Sequence, residues 1–129
     1  MPLSSYTEGK LEDHLFGIAA YTAPTLYLAA STADPTSAGT GLTEPSGLGY
    51  TRVATAPTDW SRAGNVVTNA SVISFPQATG AWGTIAYGAL MDASTAGNMI
   101  LDGALTTAKA ISNGDTLQFP IGSISFTLN

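Results

Sequence analysis

Apolar positions along this chain fall mostly in short runs that alternate with polar or small residues. The longest pair of runs lies between Trp82 and Leu105. Ile85, Tyr87, Ala89 and Met91 interleave with Thr84, Ala86, Gly88 and Leu90, and successive strand side chains point to opposite faces. The segment Asp92-Ala93-Ser94-Thr95-Ala96-Gly97 separates this run from a second one, Asn98–Leu105. Two such runs about a turn-rich segment predict a β-hairpin with a longer loop. By the same alternation Met99 and Leu101 share a face in the second arm, and Ile100 goes with Asp102. Both faces are largely apolar, so the hairpin is expected at the centre of a sheet, covered by the other strands.

Residues 4–17 carry the one helical pattern. Leu11, Leu15 and Ile18 follow the i, i+4, i+7 spacing of a narrow apolar stripe. Ser5 with Glu8 matches a capping box, Glu8 and Glu12 suit the positive end of the helix dipole, and Gly17 is placed to end the helix in a left-handed conformation. A helix of about three turns is marginal alone in water, so it must dock on the sheet or on a neighbouring molecule. After Ala23-Pro24, strands are predicted over residues 25–31, with Leu26 and Leu28 opposite Tyr27, and over 50–55, 65–68, 71–75, 106–111, 116–119 and 123–128. Pro57–Ser61 reads as a turn, as does Ser112–Asp115 with its Asn-Gly pair. The segment 33–49, rich in Pro, Gly, Ser and Thr, is long for a connection in a compact domain and is the candidate for an arm that reaches a partner. Eight or nine short strands with turn signals between them predict a mainly all-β fold, a β-sandwich or jelly-roll-like module with one N-terminal helix. The expected organisation is a helix and connector over 1–22 and a single β-sandwich domain over 23–129, carrying the long loop 33–49.

Composition sharpens this picture. A chain of 129 residues with 44% hydrophobic residues suits one domain with its own core. Only 10% of the residues are charged, against about a quarter in typical proteins. Either partners cover much of the surface, or the molecule presents a neutral, hydroxyl-rich β surface. Four basic residues, Lys10, Arg52, Arg62 and Lys109, lie scattered in a chain of net charge −5, which argues against binding nucleic-acid phosphates directly. The absence of cysteine excludes disulfides, thiol catalysis and thiolate metal sites. The N-terminus does not read as a signal peptide, and no apolar run approaches the ~20 residues that span a bilayer.

Catalytic chemistry finds little support. His14 is the lone histidine, no Gly-x-Ser-x-Gly elbow accompanies it, and its neighbour Asp13 does not face it on a helix. One histidine without cysteine supplies no zinc set. Asp92, Asp102 and Asp115 lie in or near turns and could offer oxygen ligands, but their spacing is not that of an EF-hand and turn aspartates usually cap their own backbone. No pattern selects a carboxylate pair for glycoside hydrolysis. Gly47-Leu48-Gly49 is followed by a strand rather than the helix of a dinucleotide site. Trp60, Trp82, Tyr50 and Tyr87 suit either a partner-binding platform or core packing, with Trp60 the aromatic expected to be exposed. The chain is therefore read as non-enzymatic and cofactor-free, with partner contacts expected at Leu11, Leu15, Pro35, Leu42, Pro45, Leu48 and Trp60.

Several stretches resemble a family of small bacteriophage virion proteins whose members commonly carry the label tail fibre protein. They are Lys10–Gly17, Tyr21–Leu28, Ser31–Thr36, Gly49–Val53, Phe75–Thr84, Asp92–Asn98, Gly103–Thr107 and Asn113–Thr116. The segment Trp60–Gly64 is shorter than the family pattern. The resemblance implies a virion structural protein, made in the host cytoplasm and built into the phage particle, with no catalytic residues to carry over. Small size, low charge, a helix in need of a dock and a long loop favour a multicopy capsid cement or decoration protein that stabilises the head through many weak contacts. The alternative is a tail-fibre or baseplate module that contacts the host surface, although fibre-shaft repeats and heptads are absent. The expected partners are the major capsid protein or tail proteins and copies of the chain itself in a homo-oligomer, with no direct nucleic-acid or membrane contact.

Overall fold

The computed structural model describes residues 3–128. Helix α1 (Ser5–Leu15) is followed by nine strands: β1 (Tyr27–Ser31), β2 (Val53–Ala54), β3 (Trp60–Ala63), β4 (Val66–Asn69), β5 (Ile73–Ser74), β6 (Gly83–Met91), β7 (Met99–Ile111), β8 (Gln118–Phe119) and β9 (Ser125–Thr127). They form a four-stranded sheet in the order β2-β1-β6-β7, a three-stranded sheet β3-β4-β9 and the pair β5-β8. Every pairing is antiparallel. The fold is mainly β with one N-terminal helix, as the alternation of apolar positions predicts.

The main core lies where the smaller sheets meet one face of the large one. Leu28 and Ala30 of β1 and Ile85 and Leu90 of β6 pack with Ile73, Phe75, Trp82, Leu117, Phe119, Ile124 and Phe126. The rings of Phe75, Tyr50, Trp82 and Phe119 touch at centroid distances of 5.3–6.3 Å, mostly edge to face, the geometry that ring quadrupoles favour. On the opposite face a smaller cluster of Ala29, Ala89, Met91 and Met99 lies under Tyr27 and Leu42. As expected, Leu26 and Leu28 go to one face of β1 and Tyr27 to the other.

The hairpin forms, but two bulges overturn the expected sharing of its faces. Ile85 is opposite Lys109 while Tyr87 is opposite Ala104, so Leu105–Ala108 oppose Ala86 alone. A bulge reverses side-chain parity. Ile85 therefore joins Leu90 in the main core, whereas Ala89 and Met91 lie on the other face. A second irregularity pairs Leu90 with Leu101 and Met91 with Met99. Ile100 is the extra residue, and Met99 and Leu101 end on opposite faces. Residues 106–111, expected as a separate strand, continue β7 to Ile111. Of the two hairpin arms only β6 is interior to the sheet; β7 is an edge.

Three further expectations change. The turn read at Pro57–Ser61 is a short 3-10 segment, Pro57–Asp59, that leads directly into β3. Gly64, at φ +62°, occupies the first position of the two-residue connection to β4, where tight hairpins need a left-handed backbone. The strand expected over 50–55 shrinks to Val53–Ala54; past the Leu28–Val53 pair the β1 edge meets a side chain instead, the Ala30 N–H donating to the Tyr50 hydroxyl oxygen. Loop 33–49 is not a free arm. The Thr32 N–H donates to the Thr43 carbonyl at 3.0 Å and the Gly41 N–H to the Pro35 carbonyl at 2.9 Å, and the Thr43 N–H donates to Ser31 Oγ at 3.0 Å. A β-carbon on Gly41 would come within 2.1 Å of the Asp34 carbonyl oxygen, so this turn admits only glycine. Asn69, 1% exposed, stitches β4 to the last turn: its Oδ1 accepts the Ile124 N–H at 2.9 Å and its Nδ2 donates to the Pro120 and Ser71 carbonyls at 2.8 and 2.9 Å.

Candidate functional site

The N-terminal helix is held by its first turn and exposed at its last. The capping residue is Ser4 rather than the expected Ser5: Ser4 Oγ accepts the Thr7 N–H at 3.1 Å. The root of the helix covers the edge of β7 where Ile100 bulges. Leu3 bridges to Leu101, the Ser4 N–H donates to the Ile100 carbonyl at 2.9 Å, Thr7 Oγ1 donates to the same carbonyl at 2.7 Å, and the Ser4 hydroxyl donates to the Met99 carbonyl. The bulge thus supplies acceptors and two buried hydroxyls use them. At the other end Gly17, φ +72°, terminates the helix as expected. The Gly17 N–H donates to the His14 carbonyl and the Ile18 N–H to the Asp13 carbonyl, at 3.2 and 2.8 Å, the two bonds of a Schellman motif.

The apolar stripe of the helix does not pack on the sheet. Leu11 is 37% exposed, Leu15 78%, Phe16 80% and Ile18 74%. Four of the seven large hydrophobic residues that the described molecule exposes thus lie in eight consecutive positions; the others are Leu48, Val72 and Ile121. Their surroundings are acidic, with Glu8, Glu12 and Asp13 on the same helix, and Lys10 Nζ sits 5.6 Å from the centroid of the Tyr6 ring.

The remaining candidates are dispersed. Pro35 is fully buried and Leu42 is half-buried against the small cluster, so neither offers a free surface. Pro45 borders a cleft of about 200 Å³ with Arg52, Ser94 and Thr95. Leu48, 44% exposed, lies over Gly80 and gives its carbonyl to Trp82 Nε1–H at 2.8 Å. Trp60, expected to be exposed, is half-buried: its ring packs on Phe126 at 6.2 Å and its Nε1–H donates to Thr55 Oγ1 at 3.0 Å. It also walls an apolar groove of about 370 Å³ with Pro24, Leu26 and Pro57. Tyr50 and Trp82 are core residues. Asp92 Oδ1 accepts the Asn98 N–H and Asp115 Oδ2 the Ser112 N–H, the turn-capping role that their positions suggest. Burial, with Asp34 nearby, pushes the Asp102 carboxyl above its ordinary range.

Sequence reasoning missed Phe16, which sits beside Leu15 in the run Leu15-Phe16-Gly17-Ile18 but off the helical stripe. It also missed a charged cluster. Arg52 and Glu44 form a two-bond ion pair, Nε to Oε1 and Nη2 to Oε2, each 2.8 Å, with the Arg52 side chain only 6% exposed. Burial and the neighbouring Glu44 keep the Tyr50 hydroxyl protonated far above its usual range. Separations of six and eight residues inside a loop carry no periodic signal that could have announced this cluster.

Among the described residues no three His, Asp or Glu side chains gather as a metal site, and no helix is long and apolar enough to cross a membrane. What the molecule presents is a well-packed β body with one projecting apolar element. A family model described as Podophage GP4 fiber I protein gp80 matches residues 2–127. The chain belongs to this phage fibre family and is a phage structural protein. No curated protein matches it.

Proposed function

We propose that this chain is a non-enzymatic subunit of a phage tail fibre, joined to a neighbouring virion protein through the exposed end of α1. The observation that carries this reading is the group Leu11, Leu15, Phe16 and Ile18, apolar and largely exposed on an element whose root is fixed to the body. Complete burial of one large apolar side chain contributes about 1.5–3 kcal/mol. Several together offset part of the entropy lost on association, and repeated copies in a symmetric oligomer add avidity. In this reading residues 1–22 are the attachment element and 23–129 the body, the protein is incorporated into particles after synthesis in the host cytoplasm, and it has no direct contact with nucleic acid or membrane. The matched family is described by a fibre, which supports a place on the tail over the capsid cement role that size and composition favoured.

Two measurements test this. Immunogold labelling of intact particles is expected on the tail, and labelling confined to the head overturns the fibre assignment. The variant Leu15→Asp/Phe16→Asp is expected to fold with an unchanged circular dichroism spectrum yet fall at least tenfold in copies per purified particle. Incorporation at the level of the unmodified chain overturns attachment through the helix.

A further inference from the structure

The loop Asp92–Gly97 at the tip of the β6–β7 hairpin is tied to the body by one side chain. Arg52 Nη1 donates to the carbonyls of Ala93 and Ala96, both at 2.8 Å. The rest of the same guanidinium is engaged by Glu44. Glu44 Oε1 also accepts the Tyr50 hydroxyl at 2.6 Å, and the Tyr50 oxygen accepts the Ala30 N–H of β1 at 3.0 Å. A continuous hydrogen-bonded path therefore runs from the tip through Arg52, Glu44 and Tyr50 to the main sheet. The tip needs such restraint, because Ala96 has φ +52°, a left-handed conformation that residues with a β-carbon disfavour. Asp92 and Asn98 close the base of the loop: Asp92 Oδ1 accepts the Asn98 N–H at 2.7 Å and Oδ2 the Asn98 side-chain amide at 3.1 Å. Those bonds do not reach Ser94–Ala96.

We propose that Arg52 and Glu44 form an acid-sensitive latch, in which protonation of Glu44 loosens the guanidinium and frees the Ala93–Ala96 tip while the sheets stay folded. Glu44 faces Arg52 and Tyr50; on the tip, Asp92 acts on Arg52, and Tyr21 from the connector after α1 lies near Asp92. Of these, Glu44 is the carboxylate bonded to the guanidinium, whereas Asp92 bonds to Asn98 rather than to Arg52. Burial pushes the Glu44 carboxyl upward, but the hydrogen bonds from Arg52 and Tyr50 outweigh it and hold the group below its ordinary value of 4.5. A carboxylate lowered in the folded state contributes stability above its unfolded value and loses it as pH falls through the folded one. Release therefore belongs to the range below pH 4.5. The latch is independent of where the chain sits on the particle.

NMR on the full chain reads this directly. At neutral pH the Arg52 Nε–H is expected to exchange slowly and the tip to be as ordered as the strands. In Glu44→Gln at the same pH, Nε–H exchange is expected to rise at least tenfold and tip order parameters to fall from about 0.85 toward 0.6, with amide protection at Ile85 and Leu90 unchanged. Asp92→Asn is expected to leave Arg52 Nε–H exchange within twofold. The latch is overturned by a Glu44→Gln tip and guanidinium that match the unmodified chain, or by strand protection that disappears together with tip order. Should Glu44→Gln not fold, acidification of the unmodified chain decides between the same two outcomes: a mobile tip over protected strands, or concerted loss.

Discussion

The first and last turns of α1 are built on opposite terms. The first turn is small and polar. Ser4 and Thr7 are buried, 2% and 4% exposed, and their hydroxyls are used on β7. The other end carries large apolar residues, and Leu15, the capping Phe16 and Ile18 just beyond it lie in solvent. In most surface helices the arrangement is the reverse, with the apolar stripe packed on the core and polar groups outside. In the β body the aromatic cluster is closed without the helix stripe and, among the described residues, no buried side-chain polar atom lacks a partner. In the proposed role, a helix fixed by hydrogen bonds and bare on its apolar side is a positioned element whose hydrophobic surface is left for another molecule.

The comparison is broken most severely in the body. Phe75, in contact with the rings of Tyr50, Trp82 and Phe119, fills the centre of the main core. Phe75→Ala is expected to cost about 3–5 kcal/mol in denaturant unfolding, a large share of the total for a domain of this size. A loss below about 1 kcal/mol would mean that stability comes from elsewhere, and the contrast between body and helix would lapse. The root of the helix should respond less and locally. Thr7→Val removes the hydroxyl that donates to the Ile100 carbonyl. About 1–2 kcal/mol should be lost, read as rapid hydrogen exchange through α1 while Phe75 and Leu90 amides keep their protection. Equal losses in the helix and in β6 would show that the two unfold as one unit.

How much of this was legible depended on how local each feature is. The strand-rich class, the hairpin, the helix and its glycine stop follow from periodicity and from residues adjacent in sequence. The faces of the hairpin did not, because the bulges at Ala86 and Ile100 are set by pairing with distant positions and each reverses side-chain parity. Ser5 and Glu8 matched the capping pattern, yet Ser4 caps the helix, since only Ser4 also reaches the Met99 carbonyl across the fold. Strand β3 was hidden by a proline turn and by Arg62 and Ser61, which face solvent on a two-sided ribbon. At the candidate site, Leu11 and Leu15 were visible as a stripe, but the stripe alone cannot say whether it packs inward or outward. Pro35 and Leu42 read as parts of an arm because Pro, Gly, Ser and Thr mark a loop without saying that backbone bonds fold it onto the body.

The smallest expected effect on stability is the sharpest test of the helix. Replacing both residues in Leu15→Ser/Phe16→Ser leaves the first-turn bonds, the glycine stop and the core untouched. These side chains are 78% and 80% exposed in the folded chain and exposed again when it unfolds, so little apolar area changes state. Surface substitutions of this kind usually stay within about 0.5 kcal/mol, and removing apolar residues also weakens residual clusters in the unfolded ensemble, which acts in the stabilising direction. The unfolding midpoint and its denaturant slope should therefore both match the unmodified chain. A loss above about 1 kcal/mol would place Leu15 and Phe16 against the body of their own molecule in solution, and the apolar end of the helix would then belong to the core rather than to a partner.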